Sequence, residues 1–156
     1  METIDQYSKE WIHIYTEGSA FKATVNAGYG AIIHYPLGEK EEIFNPCGSF
    51  CSNFFAEKQA ISEVLKHVSY SFDKAPNKVK DLVNFTVSLP ALQELESGEM
   101  RCKDISQIVI ACDNLYKKYG IQSLPNGSQD IRESRAMRRQ MYLPSMEQAN
   151  LNLKYP

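Results

Sequence analysis

The sequence predicts an α/β fold in which a mixed β-sheet is flanked by helices. Three segments with strand character precede the first helical pattern, and they are short enough to form an antiparallel meander: Glu10–Thr16, Ala27–Tyr35 and Glu41–Asn45. A helical pattern over Phe54–Val68 then leads to a fourth strand pattern at Asp81–Val87. A helix between two strands is typical of a crossover, so the fourth strand is expected to run parallel to its partner.

Each of the first strands has a local reason to begin and end. In the first strand, Trp11, His13 and Tyr15 alternate with Ile12 and Ile14, so the two sets point to opposite faces. Gly18-Ser19-Ala20 interrupts this strand, and Pro36-Leu37-Gly38 has the composition of a turn after the second. The third strand is expected to be short and to lie at an edge of the sheet.

The predicted helices are marked by capping residues as well as by apolar spacing. Ser52 or Asn53 is a suitable N-cap for the first helix. Ser88 is expected to cap a short second helix that ends near Leu95, with a proline tolerated in its first turn. A third helix is expected over Asp104–Tyr119, where the following glycine ends it.

Composition is that of one globular domain. The chain has 156 residues, of which 43% are hydrophobic and 23% charged, and its formal net charge is -2. No apolar stretch approaches the length of a membrane span, and residues 1–9 lack the apolar core of a signal peptide, so we expect an intracellular protein. The four cysteines, at 47, 51, 102 and 112, do not complete a zinc-site spacing and are expected to be reduced thiols.

Three segments in order resemble the motifs of ribonuclease H type 1 domains, of the kind found in non-LTR retrotransposon polyproteins. They are Tyr15–Ala20 at the first strand, Ala56-Glu57 with Ala60-Ile61 on the first helix, and Phe85–Leu89 at the fourth strand. The resemblance implies a five-stranded mixed sheet with flanking helices. It also implies a domain over residues 10–122, preceded by a tail at 1–9 and followed by an irregular tail at 123–156.

The resemblance implies an endonuclease that cleaves the RNA strand of an RNA–DNA hybrid through two Mg²⁺ or Mn²⁺ ions. Glu57 matches the helical acid of the family, Glu17 replaces an aspartate, and Val87 stands where another aspartate is normal. Glu17 and Glu57 are thus the implied metal ligands, and all three positions should meet at one edge of the sheet. With one acid lost, we expect weakened metal binding and weak or absent cleavage.

Two alternatives to an active nuclease stay open from the sequence. One is an inactive module that keeps the fold and binds nucleic acid, and the other is a non-functional retroelement remnant. The near-balanced charge gives nucleic-acid binding no support of its own. Asp113 on the third helix lies on its solvent-facing side by helical spacing, so it is not expected to replace the lost acid.

The last part of the chain suggests a frameshift. Joining the third base of each codon to the first two of the next permits W-I-P-G-H-T-G-I-Q-G-N-E-T-A-D-V-L-A over residues 126–144. That string resembles the histidine loop and last acidic motif of the family. On this hypothesis the last strand is missing, the fourth strand keeps an open edge, and residues 126–144 are poorly ordered.

Overall fold

The computed structural model describes residues 7–21, 26–48, 51–74, 79, 81–86, 88–97 and 103–127 of the chain. It contains five strands and three helices within those ranges: β1 (Ile12–Phe21), β2 (Asn26–His34), β3 (Lys40–Gly48), α1 (Asn53–Lys74), β4 (Asp81–Thr86), α2 (Leu89–Glu96), α3 (Lys103–Tyr119) and β5 (Gln122–Gly127). The strand order across the sheet is β3-β2-β1-β4-β5. The predicted meander is confirmed, because β1–β2 and β2–β3 are antiparallel, and β4 lies parallel to β1 as expected.

The prediction that the last strand is missing was wrong. β5 pairs in parallel with β4 along the whole of that strand, from Asp81 opposite Gln122 to Thr86 opposite Gly127. The Asp81 carboxylate also accepts a hydrogen bond from the backbone N–H of Gln122 at 3.1 Å, which fixes the start of the pairing. β5 therefore crosses the domain boundary expected after Gln122.

The sequence signal for β5 is weak because Pro125 interrupts it. Proline cannot donate a hydrogen bond to a sheet, so it argues against a central strand, but an edge strand tolerates it. β5 is the edge strand beside β4, and Pro125 lies opposite Asn84. Most of β5 also precedes the proposed change of frame, so a frameshift at Asn126 would leave its first four residues unaltered. Residues 128–156 lie outside the described residues.

Three elements are longer than their sequence patterns predicted. β1 continues to Phe21 and β3 to Gly48, so β3 is not the short strand that was expected. α1 continues to Lys74, beyond the end of the predicted helical pattern at Val68. Phe72 explains the extension, since it is 4% exposed and continues the apolar stripe of the helix into the core.

The helices share one face of the sheet and enclose the main core. Side chains of all three helices pack there against Ile12 and Ile14 of β1, Ile33 of β2 and Leu82 of β4. The opposite face carries a second, aromatic-rich cluster composed of Tyr15, Ile32, Val83 and Phe85, with Tyr7, Trp11 and Phe44 packed against it. The alternation predicted for β1 is thus confirmed, and each set of side chains faces its own core.

Local caps form where the sequence placed them. The Ser52 hydroxyl accepts a hydrogen bond from the N–H of Phe55 at 3.1 Å, and the Ser88 hydroxyl accepts one from Ala91 at 3.3 Å. α3 ends at a glycine, Gly120, with φ of 70°, a conformation that residues with a side chain rarely adopt. Among the described residues, no helix is long and apolar enough to cross a lipid bilayer.

Candidate active site

Gly18 brings β1 into direct contact with the start of α1. A Cβ atom added to Gly18 would lie 2.7 Å from the Cα of Glu57 and closer still to the backbone of Ala56 and Glu57. Only glycine permits such an approach of strand and helix main chains. As a consequence, Glu57 of α1 takes part in this contact with its backbone, and Glu17 of β1 immediately precedes the glycine that forms it.

Glu17 lies within β1, whereas the sequence pattern predicted that this strand ends at Thr16. β1 stays paired with β2 as far as Phe21, so the prediction of an end at this point was wrong. The parallel pairing of β1 with β4 extends less far along β1, because the last described pair is Thr16 opposite Thr86. Glu17 therefore follows the last described pair between these two strands, and it is 1% exposed. Val87 lies outside the described residues.

A buried polar network ties β1, β4 and α2 together beside this point. The Thr16 hydroxyl donates to the side-chain oxygen of Asn84 at 3.1 Å. On β4, the Thr86 hydroxyl accepts from the N–H of Ser88 at 3.1 Å, and Ser88 caps α2. All four of these side chains are at most 3% exposed. Buried hydrogen bonds fix the relative positions of the elements that carry them, although the side-chain nitrogen of Asn84 is buried without a hydrogen-bond partner.

Sequence reasoning missed this network, although a signal for it exists. Thr16, Asn84 and Thr86 are polar residues on strand positions that alternate with apolar neighbours, and they share their face with Ile14 and Leu82. A polar side chain at a core-facing strand position needs a partner. Pairing the polar positions of β1 and β4 would have predicted both the parallel alignment and the contact.

Lys58 anchors α1 next to Glu57. Its side chain is 5% exposed, and its ammonium lies 3.4 Å from a carboxylate oxygen of Asp104 and 3.7 Å from one of Glu94. It also lies 4.3 Å from the ring centre of Phe54, within the range of a cation–π interaction. One buried cation thus connects the start of α1 with α2 and with α3.

The side chains that the structure describes do not provide the ligand set of a two-metal centre. Within the part of the chain that the structure describes, no group of three or more His, Cys, Asp or Glu side chains could hold a metal ion. Mg²⁺ needs about six oxygen ligands in near-octahedral geometry, and a pair of ions is usually held by several carboxylates. Glu17 and Glu57 are the two acids that the sequence motifs supply, and the valine at position 87 cannot act as a ligand.

The other candidate residues have ordinary structural roles. Asp113 is on the exposed side of α3 and pairs with Lys117 at 2.7 Å, as its helical position predicted. His13 lies edge-on to Phe85, with ring centres 5.9 Å apart. The ring of His67 lies 2.6 Å from a carboxylate oxygen of Glu41 and links α1 to β3. Each histidine thus joins two elements of the fold: His13 joins β1 to β4, and His67 joins α1 to β3.

Comparison with known proteins identifies the architecture. No protein-family model matches the sequence, and no curated protein matches it. Among solved structures, ribonuclease H1 of the halophilic archaeon Halobacterium salinarum matches with a TM-score of 0.59 over 81% of this chain and 89% of its own. The chain has the ribonuclease H fold.

Two further structures support the assignment of this ribonuclease H fold. The N-terminal ribonuclease H domain of a Mycobacterium tuberculosis protein matches with a TM-score of 0.63, over 87% of this chain and 96% of its own, at 14% sequence identity. LC11 ribonuclease H1, solved in complex with an RNA/DNA hybrid, matches with a TM-score of 0.63 over 80% of this chain and 89% of its own, at 18% identity. The archaeal enzyme is 16% identical. Identities in this range establish the fold alone.

Proposed function

We propose that this chain is a ribonuclease H-family domain that binds RNA–DNA hybrids and cleaves them weakly or not at all. The observation that carries the proposal is the contact of Gly18 with the backbone at Glu57, which brings the strand that carries Glu17 against the helix that carries Glu57. The sequence has a valine, Val87, where the motif set has its third acid. LC11 ribonuclease H1, a protein of similar fold, has a crystal structure in complex with an RNA/DNA hybrid, and this supports the choice of ligand.

The loss of cleavage follows from the ligand count. Magnesium or manganese is the ion class that the resemblance implies, yet two carboxylates supply at most four oxygens for two ions. Glu17 adds a second difference, since its extra methylene moves the carboxylate by about 1–1.5 Å relative to aspartate, and a displacement of that size costs on the order of 100-fold in rate. Binding of the duplex depends instead on contacts with phosphates and 2′-hydroxyls, which require no metal.

Binding and cleavage are to be measured separately on the same chain. Fluorescence polarisation with a labelled RNA–DNA hybrid, and with DNA and RNA duplexes of the same sequence, should give the tightest binding for the hybrid. Gel analysis of the same hybrid with Mg²⁺ or Mn²⁺ should give little or no product. Robust Mg²⁺-dependent cleavage would refute the impairment. Equal affinity for the three duplexes would refute hybrid recognition, and no binding at all would favour the retroelement remnant.

A gain-of-ligand variant tests the site itself. E17D combined with V87D should strengthen the binding of Mn²⁺, measured by calorimetry, because it restores the missing carboxylate at position 87 and the shorter aspartate of the motif set at position 17. Turnover should stay low, because the C-terminal acid of the family is still missing. Adding E57Q should cancel the gain in metal affinity, whereas E63Q, which changes an exposed glutamate of the same helix, should not. Equal effects of E57Q and E63Q would remove Glu57 from the site.

A further inference from the structure

Cys47 and Cys51 lie in contact because the backbone around Cys47 is irregular. The register of β2 and β3 changes here, since Ala27 pairs with Gly48 while Gly28 pairs with Pro46. Cys47 is therefore the extra residue of a β-bulge, which turns its side chain away from the regular alternation. Gly48 follows with φ of 83°, a left-handed conformation that redirects the chain toward α1.

The Cys51 thiol is held beside the start of α1. It donates a hydrogen bond to the backbone oxygen of Ser52 at 3.5 Å. Both cysteines belong to one small cluster with Ala27 and Ala56. Cys47 is partly exposed, whereas Cys51 is 4% exposed. A disulfide requires two cysteine side chains at short range, and Cys47 packs against the cluster that contains Cys51.

We propose that Cys47 and Cys51 form a reversible disulfide that joins the end of β3 to the start of α1. The oxidant is a small disulfide such as oxidised glutathione. The partly exposed Cys47 thiolate attacks one sulfur of glutathione disulfide, which forms a mixed disulfide and releases one glutathione thiolate. Cys51 then loses its proton and attacks the Cys47 sulfur, which forms the internal S–S bond and releases the second glutathione. The two thiol protons end on the two glutathione molecules, and two electrons pass from the protein to the oxidant.

The surroundings make this disulfide slow to form and slow to reduce. Burial, followed by the hydrogen bond to Cys51, raises the pKa of the Cys47 thiol to about 12, and burial raises the pKa of Cys51. Only the thiolate attacks, so formation should accelerate about tenfold per pH unit above neutrality. Thiols of high pKa are also poor leaving groups, so a reductant should reopen the bond slowly.

The disulfide would act on the same part of α1 that carries Glu57. Cys51 immediately precedes the Ser52 cap, and the side-chain oxygen of Asn53 accepts a hydrogen bond from the N–H of Ala20 on β1. A covalent link to β3 would hold the start of this helix against the sheet from a second side. The inference does not depend on the proposed function, because it concerns the thiols alone.

The test uses the full chain with C102S and C112S, which leaves only the proposed pair. The protein is equilibrated at about pH 8.5 in glutathione buffers of fixed ratio, quenched with acid, alkylated and analysed by intact and peptide mass. We expect the loss of both thiols together, a mass lower by two hydrogens and a peptide linked at Cys47 and Cys51. C51S in the same background should stop at a glutathione adduct on Cys47.

A comparison with the unfolded chain separates the effect of the fold from that of the C-x₃-C spacing. The equilibrium constant for disulfide formation should be at least ~10-fold higher in the folded protein than in guanidinium chloride, because the bulge holds the sulfurs together. Equal constants in the two states would overturn the proposal. Two stable glutathione adducts, or two unreacted thiols in excess oxidant, would overturn it as well.

Discussion

Replacing Gly18 with alanine tests the contact on which the candidate site depends. The added Cβ would lie 2.7 Å from the Cα of Glu57 and nearer to the adjoining main chain, whereas carbon atoms normally pack at about 3.5–4.0 Å. The neighbours are backbone atoms of α1, so no side-chain rotation relieves the overlap. α1 must instead move away by about 1 Å or more.

The magnitude follows from the position of these atoms in the core. Overpacking of a core costs about 1–3 kcal/mol, and G18A should lie near 3 kcal/mol because Ala56 is fully buried and Glu17 is 1% exposed. The midpoint of thermal unfolding should fall by roughly 6–12 °C for a chain of this size. Urea unfolding followed by far-UV circular dichroism gives the change in the free energy of unfolding.

Gly28 provides a matched control in the neighbouring strand. An added Cβ there would meet only the backbone oxygen of Asn45, at 3.3 Å, so G28A should cost less than about 1 kcal/mol. If the costs of G18A and G28A differ by less than about 0.5 kcal/mol, the close approach of β1 to α1 at Gly18 does not govern stability.

Three further changes probe other parts of the fold. K58M should lower the free energy of unfolding in urea by about 1–3 kcal/mol, because it leaves two half-buried carboxylates without their buried cation, whereas K66M at an exposed pair should cost less than about 0.5 kcal/mol. S88A should cost about 1 kcal/mol in the same assay, since it removes the hydrogen bond to the N–H of Ala91 and uncaps α2, and no loss would contradict this role. Burial, followed by the nearby Glu41 carboxylate, raises the pKa of Tyr35 from 10.0 to about 12. The unfolded chain therefore loses the tyrosine proton at lower pH than the folded chain does. The contribution of Tyr35 to the free energy of unfolding is consequently lost as pH rises from about 10 to 12. Y35F should therefore show a shallower fall in the urea midpoint between about pH 10 and 12 than the parent chain, and an equal slope would contradict this prediction.

The sequence alone determined the order and type of the elements from β1 to α3. Alternating apolar residues, helical stripes and caps are local patterns, and local patterns decide which face of an element is buried. The three motif segments also indicated the ribonuclease H fold before any coordinates. The length of α1 was underestimated because Phe72 follows a polar stretch, and only its burial in the core explains why the helix continues.

The tertiary structure alone decided what long-range contacts control. β5 has almost no alternation of apolar and polar residues. It forms because the edge of β4 offers backbone hydrogen-bond partners, and an edge strand tolerates the proline at position 125. The meeting of Cys47 with Cys51 depends on a bulge against β2, which no spacing of cysteines reveals. The close approach of β1 to the start of α1 depends likewise on Gly18, whose missing side chain lets two main chains approach across a separation of about 40 residues.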